Sequence, residues 1–247
     1  MVDKVHTREW RGWTLHDCVE LGSTNDFARD LGPWEAIRAR RQTGARGRHG
    51  RKWESGEGGL WFSAVLPLEP PSVGWSAFPL VAGLVVVSML RGLGLPAARL
   101  RWPNDVLIDG RKICGILMEK FHTDRVVVGI GLNVANNPAT EDASLAAIAT
   151  SISRELPLSP APDELYEDLL IGLRVLHGRV AEEGFSALAS EINSHWGDLR
   201  EVELTTAHGP VRGRFLGVDA KGDLIMDTNG ATETHAAPYV QMLREVP

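Results

Sequence analysis

Short apolar runs separated by turn residues fill most of the first half of the chain, a pattern typical of β-strands. Two stretches have a helical pattern instead. Ser23-Thr24-Asn25 provide a helix start before residues 26–31, and Gly32-Pro33 provide the stop. Residues 75–93 predict a longer helix that begins after Pro79 and is buried on most sides. The first half therefore predicts strands with few helices between them.

A run of three strands is predicted next. Val106-Leu107-Ile108 and residues 112–119 flank Asp109-Gly110, which is a preferred pair for a tight turn between antiparallel strands. Residues 125–131 are rich in valine and isoleucine and follow a second turn. These three segments predict an antiparallel meander.

Helical patterns return after a proline-rich connector at residues 157–162. Leucines at helical spacing indicate a helix there: Leu165, Leu169, Leu173 and Leu176. A further helical stretch covers residues 185–196 and ends at Gly197. The connector and these helices still belong to the larger unit, which we place at residues 1–198.

The tail changes to short alternating strands over residues 202–246. Turn sequences at residues 208–210, 221–223 and 229–230 separate the strands. This pattern predicts a small β-barrel at residues 199–247 that packs against the larger domain. The chain as a whole is predicted to be an α+β protein.

Composition and charge exclude several classes of protein. The 43% hydrophobic and 23% charged residues are typical of a globular protein, and a net charge of -6 argues against a general nucleic-acid binder. Cys18 and Cys114 lie far apart, without cysteine or histidine pairs at zinc spacing, so a reducing cytoplasm is expected. The polar N-terminus and an apolar run limited to residues 80–90 predict neither a signal peptide nor a membrane span.

Cations spaced by glycines form the most informative segment, residues 44–53, which read Gly-Ala-Arg-Gly-Arg-His-Gly-Arg-Lys-Trp. Glycines allow left-handed backbone and a close approach of N–H groups to a ligand, while arginine forks match carboxylate or phosphate oxygens. The segment predicts an exposed loop that binds an anion, such as an acid being joined to a phosphate. A solvated basic loop, or an arginine-glycine segment for nucleic acid, is the alternative from this stretch alone.

Lys112 stands among apolar residues in a strand, where an ammonium group needs either an anionic partner or a route to solvent. A lysine beside a turn can reach outward, so both interpretations are open. Gly115 favours a ligand, because a glycine inside a strand weakens the sheet unless something approaches its backbone closely.

Two other segments carry candidate chemistry. Arg101-Trp102-Pro103-Asn104-Asp105 places a cation before a proline turn, with an amide and a carboxylate after it. Ordinary turn hydrogen bonds explain Asn104 and Asp105 equally well. Residues 129–133, Gly-Ile-Gly-Leu-Asn, end an apolar strand where a flat base or ribose could rest against the backbone, although this signal is weak by itself.

Five segments, in chain order, resemble the biotin protein ligase family: Ser23-Thr24-Asn25, Gln42 to Trp53, Arg101 to Asp105, Lys112 to Leu117, and Gly129 to Asn133. The resemblance covers nearly the whole chain. It implies a mixed β-sheet catalytic domain of the biotin/lipoate ligase type, followed by a small C-terminal SH3-like β-barrel. Because few residues precede Ser23, the chain is similar to the short form of the family, which lacks a DNA-binding domain.

The resemblance implies a two-step reaction. Biotin and ATP give biotinyl-5'-AMP and pyrophosphate, and a lysine of a biotin carboxyl carrier protein or domain then displaces AMP. Arg48, Arg101 and Lys112 would neutralise the charge that increases in the transition state, and Mg²⁺ would share this task on the triphosphate. A closed loop would exclude water from the reactive anhydride.

Site residues are implied by motif position. Biotin would contact Ser23, Thr24, Gln42, Arg46, Arg48 and Gly115. ATP or the adenylate would contact Arg46, Trp53, Asn104, Lys112, Gly131 and Asn133. Trp53 would stack on adenine, and no protein ligand to a metal is expected. Capping of the following helix competes as a role for Ser23 or Thr24. The resemblance further implies a cytoplasmic enzyme without nucleic-acid or membrane partners, and it is compatible with a homodimer.

Two residues depart from the family pattern. The family usually has lysine at the position of Arg101 and glycine at the position of Ala45. Arginine keeps the charge but changes its shape, and alanine loses easy access to positive φ in a tight loop. These departures leave open a catalytically weak biotin-binding paralogue. A lipoate ligase or octanoyl transferase is a second alternative, because those enzymes share the fold.

Overall fold

The computed structural model describes residues 4–68, 75–197 and 200–246. Its centre is an eight-stranded sheet with the strand order β1-β2-β3-β4-β8-β7-β6-β5. The strands are β1 His6–Trp10, β2 Trp13–Leu21, β3 Glu35–Gln42, β4 Leu60–Pro67, β5 Ala98–Arg101, β6 Asp105–Ile108, β7 Arg111–Glu119 and β8 Arg125–Leu132. β2 and β3 are parallel, whereas the other neighbouring pairs are antiparallel. The predicted mixed sheet and α+β class are confirmed.

The predicted meander is formed by β6, β7 and β8. Asp109 and Gly110 join β6 to β7 and have φ angles of 47° and 78°. Two successive positive φ values are the geometry that favours Asp-Gly in a two-residue hairpin. This turn places the start of β7, and with it Lys112, beside the end of β6, where Lys112 pairs with Leu107.

β8 shows how the two faces of the sheet differ. Val126, Val128, Ile130 and Leu132 point into the main core, because alternate residues of a strand share a face. Val127 lies in a smaller core on the other face, so Gly129 and Gly131 also belong to that face. Glycines at these positions leave space above the sheet where side chains or a ligand can lie.

Six α-helices surround the sheet in the described part of the chain: α1 Thr24–Ala28, α2 Phe78–Gly92, α3 Pro138–Glu141, α4 Ile152–Glu155, α5 Pro162–Glu183 and α6 Phe185–Asn193. α2 and α5 cover the main core, and they approach closely at Gly172, where a Cβ would lie 2.4 Å from a Val85 methyl group. Each predicted helix is present. α1 begins earlier than residue 26, and α6 ends before Trp196, since local patterns define helix ends less sharply than helix centres.

The tail forms a second sheet with the strand order β12-β11-β10-β9-β13. Its strands are β9 Glu201–Thr206, β10 Gly209–Val218, β11 Leu224–Thr228, β12 Ala231–His235 and β13 Val240–Glu245. Gly209 and Pro210 lie inside β10 rather than in a turn. The outer strands β12 and β13 do not pair in the described sheet, so a closed barrel is not confirmed. The predicted boundary at residues 198–199 lies outside the described residues.

The second sheet packs against the first through specific contacts. Glu245 on β13 accepts two hydrogen bonds from Arg99 on β5, at 2.7 and 2.6 Å. The buried Trp102 indole donates to the carbonyl oxygen of Gly222, at 3.0 Å. The two sheets therefore share an interface beside the Arg101 turn. Within the three described ranges, no helix has the length and apolar character that crossing a membrane requires.

Candidate active site

A cavity of about 700 Å³ opens on the sheet face that carries Gly129 and Gly131. All of the predicted site residues line it: Ser23, Thr24, Gln42, Arg46, Arg48, Trp53, Arg101, Asn104, Lys112, Gly115, Gly131 and Asn133. Residues 241–245 of β13 also contribute to its wall. The five segments that are separated in sequence therefore meet in one place.

Asp105 holds two of the predicted catalytic cations. Its carboxylate accepts from the Lys112 ammonium at 2.5 Å and from the Arg101 guanidinium at 2.6 Å. Burial alone would raise the pKa of the Asp105 carboxyl, but the charges of Lys112 and Arg101 outweigh it and keep that pKa below its ordinary value. Lys112 thus has an anionic partner inside the cavity and does not turn outward to solvent.

The basic loop, residues 44–53, reaches the second sheet through two arginines. The Arg48 guanidinium donates to the carbonyl oxygens of Ala237 and Val240, at 2.5 and 2.9 Å, and Arg51 donates to that of Gln241 at 3.1 Å. Arg48 is half-buried, so the expectation of an exposed loop arginine is wrong. Burial lowers the pKa of its guanidinium, and the Asp105 carboxylate opposes this shift.

Arg46 holds the other side of the basic loop. It makes a two-pronged contact with Asp26 on α1, at 2.9 and 2.8 Å, and it donates to both oxygens of Glu119 on β7, at 3.0 Å. The hydrogen bonds that Arg46 donates to Asp26 raise the pKa of the Arg46 guanidinium further above its already high ordinary value. Because two carboxylates offset its charge, Arg46 fixes the loop to the sheet.

Positive φ angles in the basic loop occur at His49 and Gly50, with values of 59° and 71°. Neither Gly44 nor Ala45 has a positive φ. Gly44 instead lies against the Gly22 carbonyl oxygen, to which its N–H donates at 2.7 Å. The alanine at position 45 therefore introduces no backbone strain, and the concern raised by this departure from the family pattern does not apply.

Trp53 occupies the space that the glycines leave open. A Cβ at Gly115 would lie 3.1 Å from the Lys112 ammonium and 3.2 Å from the Trp53 ring, and a Cβ at Gly131 would lie 2.6 Å from the indole nitrogen. The Lys112 ammonium is 4.8 Å from the centre of the indole ring. The close approach that Gly115 predicts is thus made by this chain's own side chains. The indole N–H is buried and has no hydrogen-bond partner among the residues that the structure describes.

Ser23, Thr24 and Gln42 form the polar floor of the cavity. The Thr24 N–H and hydroxyl both donate to the Gln42 side-chain oxygen, at 2.7 and 3.1 Å, so these two residues orient each other. Ser23 has the N-cap position of α1, but its side chain makes no capping hydrogen bond. Capping therefore does not account for the Ser23 hydroxyl, which is free to face the cavity.

Asn104 and Asn133 hold the cavity wall together through their amides. Asn104 donates to the Ile116 carbonyl oxygen at 2.6 Å, and Asn133 donates to that of Thr150 at 2.9 Å. Main-chain hydrogen bonds join Lys112 to Ile148 and Thr150 as well. The segment after β8 is thereby fixed beside Lys112. In the described ranges, no group of three acidic, cysteine or histidine residues could hold a metal ion.

Comparisons with known proteins agree with this geometry. A model of the biotin/lipoate A/B protein ligase family matches residues 26–133. The biotin acetyl-CoA-carboxylase ligase of Mycobacterium tuberculosis is 32% identical over 247 residues, which cover 94% of this chain and 91% of that protein. The chain belongs to the biotin/lipoate A/B protein ligase family. The predicted resemblance to biotin protein ligases is confirmed.

Two further relatives support this membership of the ligase family. The biotin acetyl-CoA-carboxylase ligase of Paracoccus denitrificans is 31% identical over 223 residues, which cover 83% of this chain and 90% of that protein. The solved biotin protein ligase from Aquifex aeolicus, in complex with biotin and ATP, has a TM-score of 0.84 at 29% identity and covers 94% of this chain and 99% of that chain.

Several residues in or next to this family member's cavity were not assigned from the sequence. Asn25 and Asp105 line the cavity, whereas Ser63 and Glu119 are hydrogen-bonded to Asn25. Ser63 gives the clearest signal that could have found one of them, because it is the one polar residue in the apolar strand β4 and a buried hydroxyl needs a partner. Asn25, Asp105 and Glu119 gave only local turn or surface signals. The role of β13 had no signal, since it depends on how the second sheet packs.

Proposed function

We propose that this chain is an ATP-dependent biotin protein ligase that forms biotinyl-5'-AMP and transfers biotin to a lysine of a carboxylase carrier domain. The observation that carries the proposal is the meeting of Lys112, Arg101 and Arg48 at one cavity with a polar floor. The names of the Mycobacterium and Paracoccus relatives and the biotin and ATP bound by the Aquifex protein support it.

In the first step, a biotin carboxylate oxygen bonds to the α-phosphorus of ATP, and pyrophosphate leaves. Two anions must approach each other, so cations fixed beforehand at their junction lower the barrier. Asp105 keeps Lys112 and Arg101 in position until the substrates supply the negative charge. Magnesium would enter with the triphosphate, because the carboxylate nearest these cations is already occupied by them.

In the second step, the carrier lysine amine bonds to the biotinyl carbonyl carbon, and the bond from that carbon to the AMP phosphate oxygen breaks. AMP leaves, and the attacking nitrogen loses a proton. The anhydride is also open to attack by water, so its survival depends on closure. The basic loop, held by Arg46 on one side and Arg48 on the other, would provide this closure.

Recognition of biotin is assigned to the polar floor, where Ser23 presents a hydroxyl and Thr24 and Gln42 are fixed in orientation. Trp53 is assigned to adenine stacking, which requires the indole to shift from Gly131 toward the nucleotide. The two departures from the family pattern give little support to a catalytically weak paralogue, because Arg101 retains an ion pair in the cavity and Ala45 is unstrained.

The proposal divides the chain into two domains, residues 1–198 and 199–247, and gives the second an SH3-like architecture. It places the enzyme in the cytoplasm. The separate C-terminal sheet supports this division. It further includes Mg²⁺ as the companion of ATP, and a homodimeric assembly, which sedimentation of the full chain would test.

The direct test mixes the protein with biotin, ATP, magnesium and a carrier domain, and then weighs the carrier by mass spectrometry. We expect a mass gain of one biotinyl group. A matched reaction with lipoate or octanoate in place of biotin tests the related acyl ligases. Modification by a linear acyl chain without modification by biotin would reject the proposal, and so would no gain beside a working control ligase.

A substitution tests the space above Gly115. Gly115→Val is expected to weaken adenylate binding about ten-fold or more, because the added methyl groups displace Lys112 and Trp53 from their positions over the glycine. Calorimetric titration with a non-hydrolysable biotinyl-adenylate analogue measures this effect. Gly178→Ala on α5 is the control, since its Cβ would meet no atom within 4 Å. Equal affinities for Gly115→Val and the unaltered protein would contradict the assignment.

A further inference from the structure

A continuous chain of hydrogen bonds connects the polar floor to the basic loop. From the Thr24 hydroxyl, it passes to Ser63 at 2.8 Å, to the Asn25 side-chain oxygen at 2.6 Å, and from the Asn25 amide nitrogen to Glu119 at 2.7 Å. Glu119 then accepts from Arg46 at 3.0 Å. Residues from α1, β4, β7 and the basic loop are thus joined through side chains.

The middle of this chain is rigid. Asn25 and Ser63 are buried, with exposed fractions of 4% and 0%. The Asn25 side chain lies directly over Gly129, where a Cβ would come within 2.1 Å of the amide oxygen. Its amide nitrogen also donates to the Leu117 carbonyl oxygen at 3.2 Å. The amide therefore has one orientation, with nitrogen toward Glu119 and oxygen toward Ser63.

The floor end of the chain responds to a ligand. The Thr24 hydroxyl can donate to Gln42 or to Ser63, and the Ser63 hydroxyl can donate to Thr24 or to Asn25. Two protons thus serve more acceptors than they can satisfy at once. A polar group that bonds to Thr24 selects one arrangement and so changes the bond that Asn25 receives.

Glu119 joins the rigid part to the loop. Its carboxylate is an acceptor in every direction, so it receives Asn25 and Arg46 together. A glutamine of the same shape would turn an amide N–H toward one of these two donors. The charge of Glu119 and that of Asp26 together offset Arg46, but only Glu119 connects Arg46 with the floor among the described contacts.

We propose that Glu119 is a positioning residue that couples occupation of the polar floor to closure of the basic loop. The inference rests on the proposed function, because biotin is the ligand that would occupy the floor. Glu119 acts through Asn25 and Arg46 without touching the reacting atoms. The Glu119 carboxylate transmits the position of the Asn25 amide to Arg46, which fixes one side of the basic loop.

Trypsin cleavage within the basic loop tests the coupling, since Arg46, Arg48, Arg51 and Lys52 provide cleavage sites there. In the unaltered protein, saturating biotin is expected to slow cleavage about ten-fold, because cleavage follows the population of the open loop. In Glu119→Gln, with saturation by biotin verified calorimetrically, the protection is expected to fall below about two-fold. Glu35→Gln is the control. Glu35 is a half-buried carboxylate that accepts from His16 and from the Gly32 N–H, away from the cavity.

Ser63→Ala independently interrupts the chain of hydrogen bonds at its buried end and adds no volume. It is expected to bind biotin and yet lose the protection of the loop, and it decides the test if Glu119→Gln does not fold. Full protection in either variant at saturating biotin would overturn the inference, as would unaltered protein that binds biotin without protection of the loop. Absence of biotin binding by the unaltered protein would instead remove the proposed function, and the inference with it.

Discussion

Lys112→Met is expected to slow biotin-dependent pyrophosphate release by about a hundred-fold or more, since removal of one fixed charge from a transition state has effects of this size. Methionine has a similar length and fills the space beneath Trp53, so the change removes mainly the charge. The loss should appear in kcat at saturating biotin and ATP, because the positive charge matters most where two anions meet. Pyrophosphate release measured by a coupled assay gives the value.

The control for this prediction is Lys221→Met, which removes an exposed lysine from the turn before β11. It should leave pyrophosphate release unchanged. Thermal unfolding separates folding from catalysis, because Lys112→Met also leaves Asp105 with Arg101 as its remaining partner. A variant that stays folded and retains more than about a third of the activity would show that Lys112 is not part of the reacting centre.

Arg48→Ala is expected to have the second largest effect, on retention of the adenylate. The variant loses the hydrogen bonds to Ala237 and Val240, so the basic loop is no longer held against the second sheet on that side. We expect the intermediate to escape or hydrolyse about ten- to a hundred-fold faster. Quench-flow measurement of free biotinyl-5'-AMP in the absence of carrier records this rate.

Arg51→Ala gives the comparison, because Arg51 is exposed and donates to a single carbonyl oxygen. Its loss should change adenylate retention by less than about three-fold. Arg48→Ala should also lower the free energy of unfolding by about 1–3 kcal/mol, since partly buried carbonyl oxygens lose their donor. If Arg48→Ala unfolds more readily while retaining the adenylate normally, Arg48 has a structural role alone.

Local sequence patterns predicted the elements of this fold well. The Asp109-Gly110 turn, the leucines of α5 and the helix before Gly197 carry their signals within a few residues. The meeting of distant segments at the cavity came from the family resemblance, since residues 44–53 and Lys112 contain no local information about their separation in space. The side chains that lie over Gly115, Gly129 and Gly131 could not be predicted, because a glycine indicates that some group approaches its backbone but does not identify that group.

The carboxylate and carbonyl partners of Arg46 and Arg48 could not be predicted from the sequence either. Arg46 pairs with Glu119 across 73 residues, and Arg48 bonds to carbonyl oxygens across 189 and 192 residues. Such contacts depend on the packing of whole elements. The same limit applies to the predicted barrel, since alternation identifies short strands but does not determine whether the outer two of the sheet meet.

Ala237 and Val240 offer Arg48 only main-chain oxygens, which every amino acid possesses. The partly buried side chain of Ala237 can therefore be exchanged without removing its hydrogen bond to Arg48, whereas Val240 must keep its packing in the core. Pro238 helps to fix that path in the 3₁₀ turn over residues 237–239. Redesign of this corner should consequently vary the side chain at 237 and leave Pro238 and the buried Val240 in place.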